Sequence, residues 1–182
     1  MDIKRITNKE KEFELLYFLT AALKTDQKEQ ILRPFVNTIC AKPNGIYCTD
    51  GHRLHWKEEN VLPEGKYEVL KRTKNYIDLK KNKDVLYPNV KKVIPAKFEK
   101  EISYEPHKGN KTELPCLIGM VTNALYNYNY INDIWLYNYN FKIMIPIKNT
   151  MVQFSFEDDT KALIMGLDKE HYKIETKNIG GE

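Results

Sequence analysis

The chain has 182 residues and 21.5 kDa, enough for one ordinary domain or two small ones. Its 29 Lys and Arg against 25 Asp and Glu leave a net charge of only +4, too balanced for a histone-like or polybasic protein. At 42% hydrophobic and 30% charged residues it lies near the globular average, and no apolar run reaches the ~18 residues of a membrane span. Basic residues at the N-terminus are not followed by an apolar stretch, and three cysteines fall at irregular spacing. Neither a secretory signal nor a disulfide framework is expected, which favours a soluble, cytoplasmic, reduced protein without a membrane partner. Lys, Asn, Ile and Tyr are abundant, but AT-rich codons favour all four, so their number carries little weight.

The first strong period is helical. Phe13, Leu16, Tyr17, Leu19, Thr20 and Leu23 recur at three- and four-residue steps and predict a helix over about 9–24. Glu10, Glu12 and Glu14 early and Lys24 late suit its dipole. Residues 31–58 read as a hairpin: Ile31, Phe35 and Ile39 mark one run, Ile46, Cys48 and Leu54 the other, and Pro43, Asn44 and Gly45 supply the turn. Pro34 makes the first run an edge or a bulge. Residues 66–81 alternate Tyr67 and Val69 with charged neighbours before Tyr76, Ile77 and Leu79, and Asn75 between them suggests a second hairpin. Pro88 and Pro95 bracket an extended connector over 86–95, placing a boundary near residue 98.

The second part repeats this order in outline. A short strand at 101–105 and a polar loop precede Pro115, which stands at a first-turn position for Leu117, Met120, Val121, Ala124 and Leu125 at helical steps. Strand-like runs follow at 132–138, 141–149 and 151–168, the last with Val152, Phe154 and Phe156 in strict alternation. The expected class is α+β: two shortened β-α-β-β-β units in series, residues 1–98 and 99–182, with mainly antiparallel sheets.

Three segments carry a resemblance. Thr49-Asp50-Gly51-His52-Arg53-Leu54 resembles the signature hexapeptide in the middle domain of the bacterial sliding clamp, the DNA polymerase III beta subunit. Residues 87–95, Tyr-Pro-Asn-Val-Lys-Lys-Val-Ile-Pro, are similar to that family's interdomain linker, and residues 162–167 stand where its terminal motif stands. The match covers about residues 9–168, corresponding to shortened middle and last domains; the family's first domain has no counterpart. Gly166 and Asp168 replace the family's proline and arginine.

In that family the three segments form an apolar pocket for a short peptide with a Gln followed by Leu or Phe anchors. The resemblance therefore implies a pocket of Thr49, Gly51, His52, Arg53 and Leu54, with Pro88, Lys92 and Val93 from the linker and Leu163, Ile164, Met165, Gly166 and Leu167 from the end. It further implies a non-enzymatic replication or repair factor that needs no cofactor and binds peptides of polymerase-type or repair partners. DNA contact and a homo-oligomer are additional expectations.

Other signals compete with this reading. A basic cluster of Lys66, Lys71, Arg72, Lys74, Lys80, Lys81 and Lys83 is either a solvated face or a charged contact surface, with Lys71, Arg72, Lys74, Lys80 and Lys81 the candidate nucleic-acid contacts. Tyr126, Tyr128, Tyr130, Trp135, Tyr137 and Tyr139, interleaved with Asn, would on strands make a stacking platform for single-stranded nucleic acid. A further alternative is a decayed clamp paralogue that acts as adaptor or inhibitor without encircling DNA. Asp50 beside His52 lacks a nucleophile with triad logic, and Cys40, Cys48, His52 and His55 lack the spacing of a zinc finger.

Overall fold

The computed structural model describes residues 3–24, 26–104, 118, 126–137, 140–147 and 150–166. The expected N-terminal helix forms as α1 (Phe13–Ala21), which buries Phe13, Leu16, Phe18, Leu19 and Thr20. It begins at Phe13, where the apolar period begins, and not near residue 9. The backbone N–H of Thr7 donates to Glu10 Oε1 at 2.7 Å, and Glu10 N–H donates to Thr7 O at 3.0 Å, which folds a separate turn ahead of the helix. Before that turn lies an unexpected strand, β1 (Ile3–Thr7); only Ile6 in it is buried, so the sequence shows no alternation there.

The strand expected from Ile31 and Phe35 does not form. Asp26 caps α2 (Gln27–Leu32) by accepting from the N–H groups of Lys28 and Glu29, and Pro34 then starts a 3-10 turn over Pro34–Asn37. The hairpin begins at β2 (Thr38–Lys42), turns at residues 43–44 and returns as β3 (Gly45–Thr49). Gly45 opens β3 at φ +141°, where an added Cβ would lie 2.6 Å from the Lys57 carbonyl oxygen. β4 (Arg53–Lys57) follows, and the second hairpin forms as expected from β5 (Gly65–Arg72) and β6 (Tyr76–Lys81).

After the connector come β7 (Phe98–Tyr104), α3 (Tyr128–Tyr137), β8 (Phe141–Pro146), β9 (Met151–Phe156) and β10 (Thr160–Met165). The helix expected over 115–129 lies largely outside the described residues, among which Ile118 is helical and fully buried. The strand expected at 132–138 is instead helical over 132–137, and residue 138 lies outside the described residues. Ile131, Ile134 and Trp135 are the buried residues of α3, spaced at three and four, and this packing overrides the β-propensity of the aromatic residues around them.

All described strands join one antiparallel sheet in the order β1-β6-β5-β2-β3-β4-β10-β9-β8-β7. The strands before and after the connector therefore meet at a single pairing, β4 with β10. One face of the sheet packs against α1 and α3 through a core that includes Ile6, Ile39, Ile46, Cys48, Ile77, Leu79, Phe154 and Ile164. The opposite face is covered over its middle strands by the connector. The observed class is α+β, as expected.

Candidate functional site

The hexapeptide forms a locked turn between β3 and β4. Thr49 Oγ1 donates to the Arg53 carbonyl at 2.6 Å and accepts from Gly51 N–H at 3.0 Å. Asp50 Oδ1 accepts from the N–H groups of His52 and Arg53 at 2.9 and 3.0 Å. Gly51 sits at φ +92°, which favours a residue without Cβ. These bonds fix the register of β4, so alternation sends Leu54 and Trp56 to the outer face and Arg53 and His55 towards the helices.

β10 then arrives beside β4 with Leu163 opposite Leu54. Met165 N–H donates to the His52 carbonyl at 3.0 Å, and Gly166 N–H donates to that of Thr150 at 2.7 Å, extending the sheet past the hexapeptide. The connector lies on top. Tyr87 Oη donates to the Tyr47 carbonyl at 3.1 Å, and Val90 is buried in a 3-10 turn over Val90–Lys92. Cys40, Tyr47, Leu54, Trp56, Val90 and Leu163 form one cluster, with Tyr87, Ile94 and Met151 packed at its margin. The hexapeptide, the connector and the terminal segment are thus brought together.

Within this cluster Leu54 and Leu163 are floor residues, each only 2% exposed. Val93 and Met165 stay open at 49% and 41%, leaving apolar surface at the margin of the packed cluster. Along the connector runs a groove of 480 Å³ lined by Tyr47, Trp56, Ile94 and Pro95, with Glu58 and Lys91 supplying charge. Tyr47, Trp56, Val90, Ile94 and Pro95 were not expected at the site; the alternation of Trp56 with Leu54 on one strand was the signal that could have found the second of them.

Other expected site residues lie differently. Arg53 is on the helix face, where its Nη1 meets Asp133 at 2.6 Å and its guanidinium lies 4.1 Å from the Tyr130 ring centroid. It ties α3 to the turn and does not share the outer face with Leu54, because adjacent strand residues point to opposite sides. Ile164 likewise faces the helix-side core. Thr49 and Gly51 build the turn, His52 and Lys92 are exposed, Pro88 is half-buried, and Leu167 lies outside the described residues.

The basic cluster also divides. Lys71 and Lys80 occupy the outer face and Lys74 the hairpin tip, whereas Lys81 turns to the helix side beside Tyr67. Arg72 is engaged with α1: its Nη2 donates to Tyr17 O at 3.0 Å, its Nε to Thr20 Oγ1 at 3.1 Å, and it lies 3.8 Å from the Tyr17 ring centroid. The expected tyrosine platform is helical, and its rings are largely used internally. Trp135 is buried, Tyr130 lies under Arg53, and Tyr137 stacks on Phe18 at 4.0 Å while donating to Asp158 Oδ2 at 2.6 Å. Tyr139 lies outside the described residues. Phe18 in turn stacks on His55 at 4.3 Å. His55 is fully buried, its Nδ1–H donates to the Phe18 carbonyl at 3.0 Å, and burial lowers its pKa to about 3.

No family model and no curated protein matches the sequence. Solved structures do match. DNA polymerase III beta chain from Streptococcus pneumoniae superposes with a TM-score of 0.59 at 12% identity, over 93% of this chain and 65% of that one. The beta subunit from Thermotoga maritima gives 0.60 at 11% identity, over 91% and 65%. The Helicobacter pylori beta clamp bound to a DNA ligase peptide gives 0.55 at 10% identity, over 92% and 67%. The chain therefore spans about 65% of the length of the S. pneumoniae protein. It has the fold of the bacterial sliding clamp, in a shortened form.

Proposed function

We propose that the chain is a non-enzymatic, clamp-like interaction factor in DNA replication or repair, whose connector-covered outer face receives short linear peptides from polymerase-type or repair partners. The convergence of Leu54, Val90 and Leu163 in one cluster, beside the exposed Val93 and Met165, carries this reading. An apolar anchor entering there would be desolvated against a rigid floor, while the thioether of Met165 adapts to its shape. His52, Lys91 and Lys92 stand exposed at the margin to meet polar or acidic peptide groups. The peptide held by the H. pylori clamp supports the same use of the fold. A homo-oligomer belongs to the proposal, because β1 and β7 end the sheet with no further strand beside them among the described residues, edges that strand pairing between copies can use.

The test is fluorescence anisotropy with a labelled peptide carrying Gln followed by Leu and Phe. Binding should weaken at least about tenfold in Val93→Asp and Met165→Asp, each replacing exposed apolar surface with charge, a loss of about 1.4 kcal/mol. Equal affinity of both variants and the wild type would exclude the site. Leu54→Asp is unsuited to this test because Leu54 is part of the packed floor.

A further inference from the structure

The strands of the two halves join at one pairing, β4 with β10, and a second connection sits at its end. Arg53 opens β4 with its side chain towards the helices, and its Nη1 donates to Asp133 Oδ2 of α3 at 2.6 Å. Its Nε lies 3.5 Å from Asp50 Oδ2 and has no hydrogen-bond acceptor among the described residues. The side chains of Arg53 and Asp50 are only 9% and 1% exposed, so water does little to solvate either charge. The guanidinium therefore depends on two carboxylates, and the closer of them belongs to α3.

Asp50 serves two sets of donors. Its Oδ1 accepts from the N–H groups of His52 and Arg53, which holds the hexapeptide turn, while its Oδ2 faces the Arg53 guanidinium. The turn presents the His52 carbonyl to Met165 N–H at 3.0 Å. A chain of polar contacts thus runs from Asp133 on the helix face, through Arg53, Asp50 and His52, to the backbone of Met165. With Asp133 in place, Arg53 is drawn to α3 and Asp50 is left to the turn. Without that carboxylate, the buried guanidinium keeps Asp50 as its remaining ionic partner among the described residues. Closing the 3.5 Å gap then turns the Asp50 carboxylate away from the His52 N–H and loosens the turn.

We propose that Asp133 is a positioning residue of the peptide site: acting through Arg53 and Asp50, it holds the hexapeptide turn and the Met165 backbone in the geometry that receives the peptide. This role rests on the peptide site proposed for the outer face. It places control of peptide affinity on α3, across the sheet from the peptide itself.

The experiment measures, in the full chain, anisotropy of the labelled Gln-Leu-Phe peptide and hydrogen exchange of the Met165 amide without peptide. Asp133→Asn, which removes the charge and keeps the shape, should weaken binding about tenfold and speed that exchange by a similar factor. Asp133→Glu, which keeps a carboxylate, should bind within about threefold of the wild type. In an Arg53→Met background, Asp133→Asn should cause no further loss, because its effect passes through Arg53. Ile77→Val, a core truncation three strands away from β4, should lower stability and leave both readouts unchanged. Wild-type affinity or wild-type Met165 exchange in Asp133→Asn overturns the positioning role and leaves the peptide site standing. Equal losses in Ile77→Val also overturn it, since the effect would then be general destabilisation. A wild type that binds no peptide overturns the peptide site and the positioning role together.

Discussion

Leu54 and Leu163 lie directly opposite one another in the β4–β10 ladder, beneath Val90 of the connector. This pair lies where the strands from the two halves of the chain meet. Each truncation to Ala should cost about 3 kcal/mol, the usual cost of an internal cavity. Because the side chains are direct cross-strand neighbours, the double variant should show a coupling of about 1 kcal/mol in urea unfolding. Strict additivity would place them out of contact.

His55 predicts an acid-dependent loss of stability. Its folded pKa of about 3 lies below the ordinary 6.5, because burial disfavours the imidazolium. Below about pH 6.5 the unfolded chain takes up a proton that the folded chain excludes, so this contribution is present above 6.5 and is lost as the pH falls towards 3. At pH 5 the loss is about 2 kcal/mol. Urea unfolding of wild type and His55→Gln at pH 7 and pH 5 should show the gap between them narrowing by about that amount; parallel stability curves would contradict the buried neutral ring.

Gly51→Ala tests the hexapeptide turn. The added Cβ would lie 3.5 Å from Arg33 Nη1, an ordinary contact, so the expected penalty is the conformational one of φ +92°. Thermal unfolding should show a destabilisation of about 1 kcal/mol. Asp50→Ala should cost more, about 2 kcal/mol, since it removes a buried carboxylate that accepts from two backbone donors of the turn. A smaller effect for Asp50 than for Gly51 would mean that the turn is held by other contacts.

Much of this architecture was legible because local chemistry and packing agree. Gly45 marks the β2–β3 turn, Asn75 the β5–β6 turn, and Val152, Phe154 and Phe156 alternate along β9. The failures occur where packing decides against local preference. Ile31 is apolar yet exposed on α2, which Asp26 caps, and the aromatic residues of 128–137 suggest a strand while Ile131, Ile134 and Trp135 supply a helical seam. The hexapeptide and terminal segments were recognisable as motifs, but a motif does not reveal side-chain direction. Arg53 stands next to Leu54 in sequence and across the sheet from it in space, where Asp133, eighty positions later, holds it. The linker segment that holds Ile94 and Pro95 was legible, but the groove along them was not, because it exists only where the connector crosses Tyr47 and Trp56.

Solution mass tests the oligomer. Edges at β1 and β7 that carry no further strand among the described residues predict a head-to-tail assembly whose mass, by light scattering at micromolar concentrations, is a multiple of 21.5 kDa. Arg5→Pro, which places a residue without an amide donor in the edge strand and removes the Arg5–Asp78 pair, should lower that mass. A monomeric wild type would remove the assembly while leaving the peptide site intact.

The most direct measurement of the central claim is methyl NMR of the chain during titration with the Gln-Leu-Phe peptide. Resonances of Val93, Ile94, Met151 and Met165 should shift together and saturate at one affinity, while those of Leu136 on the helix face remain fixed. Shifts confined to the helix face, or none at peptide concentrations in the millimolar range, would contradict a peptide site on the connector-covered face.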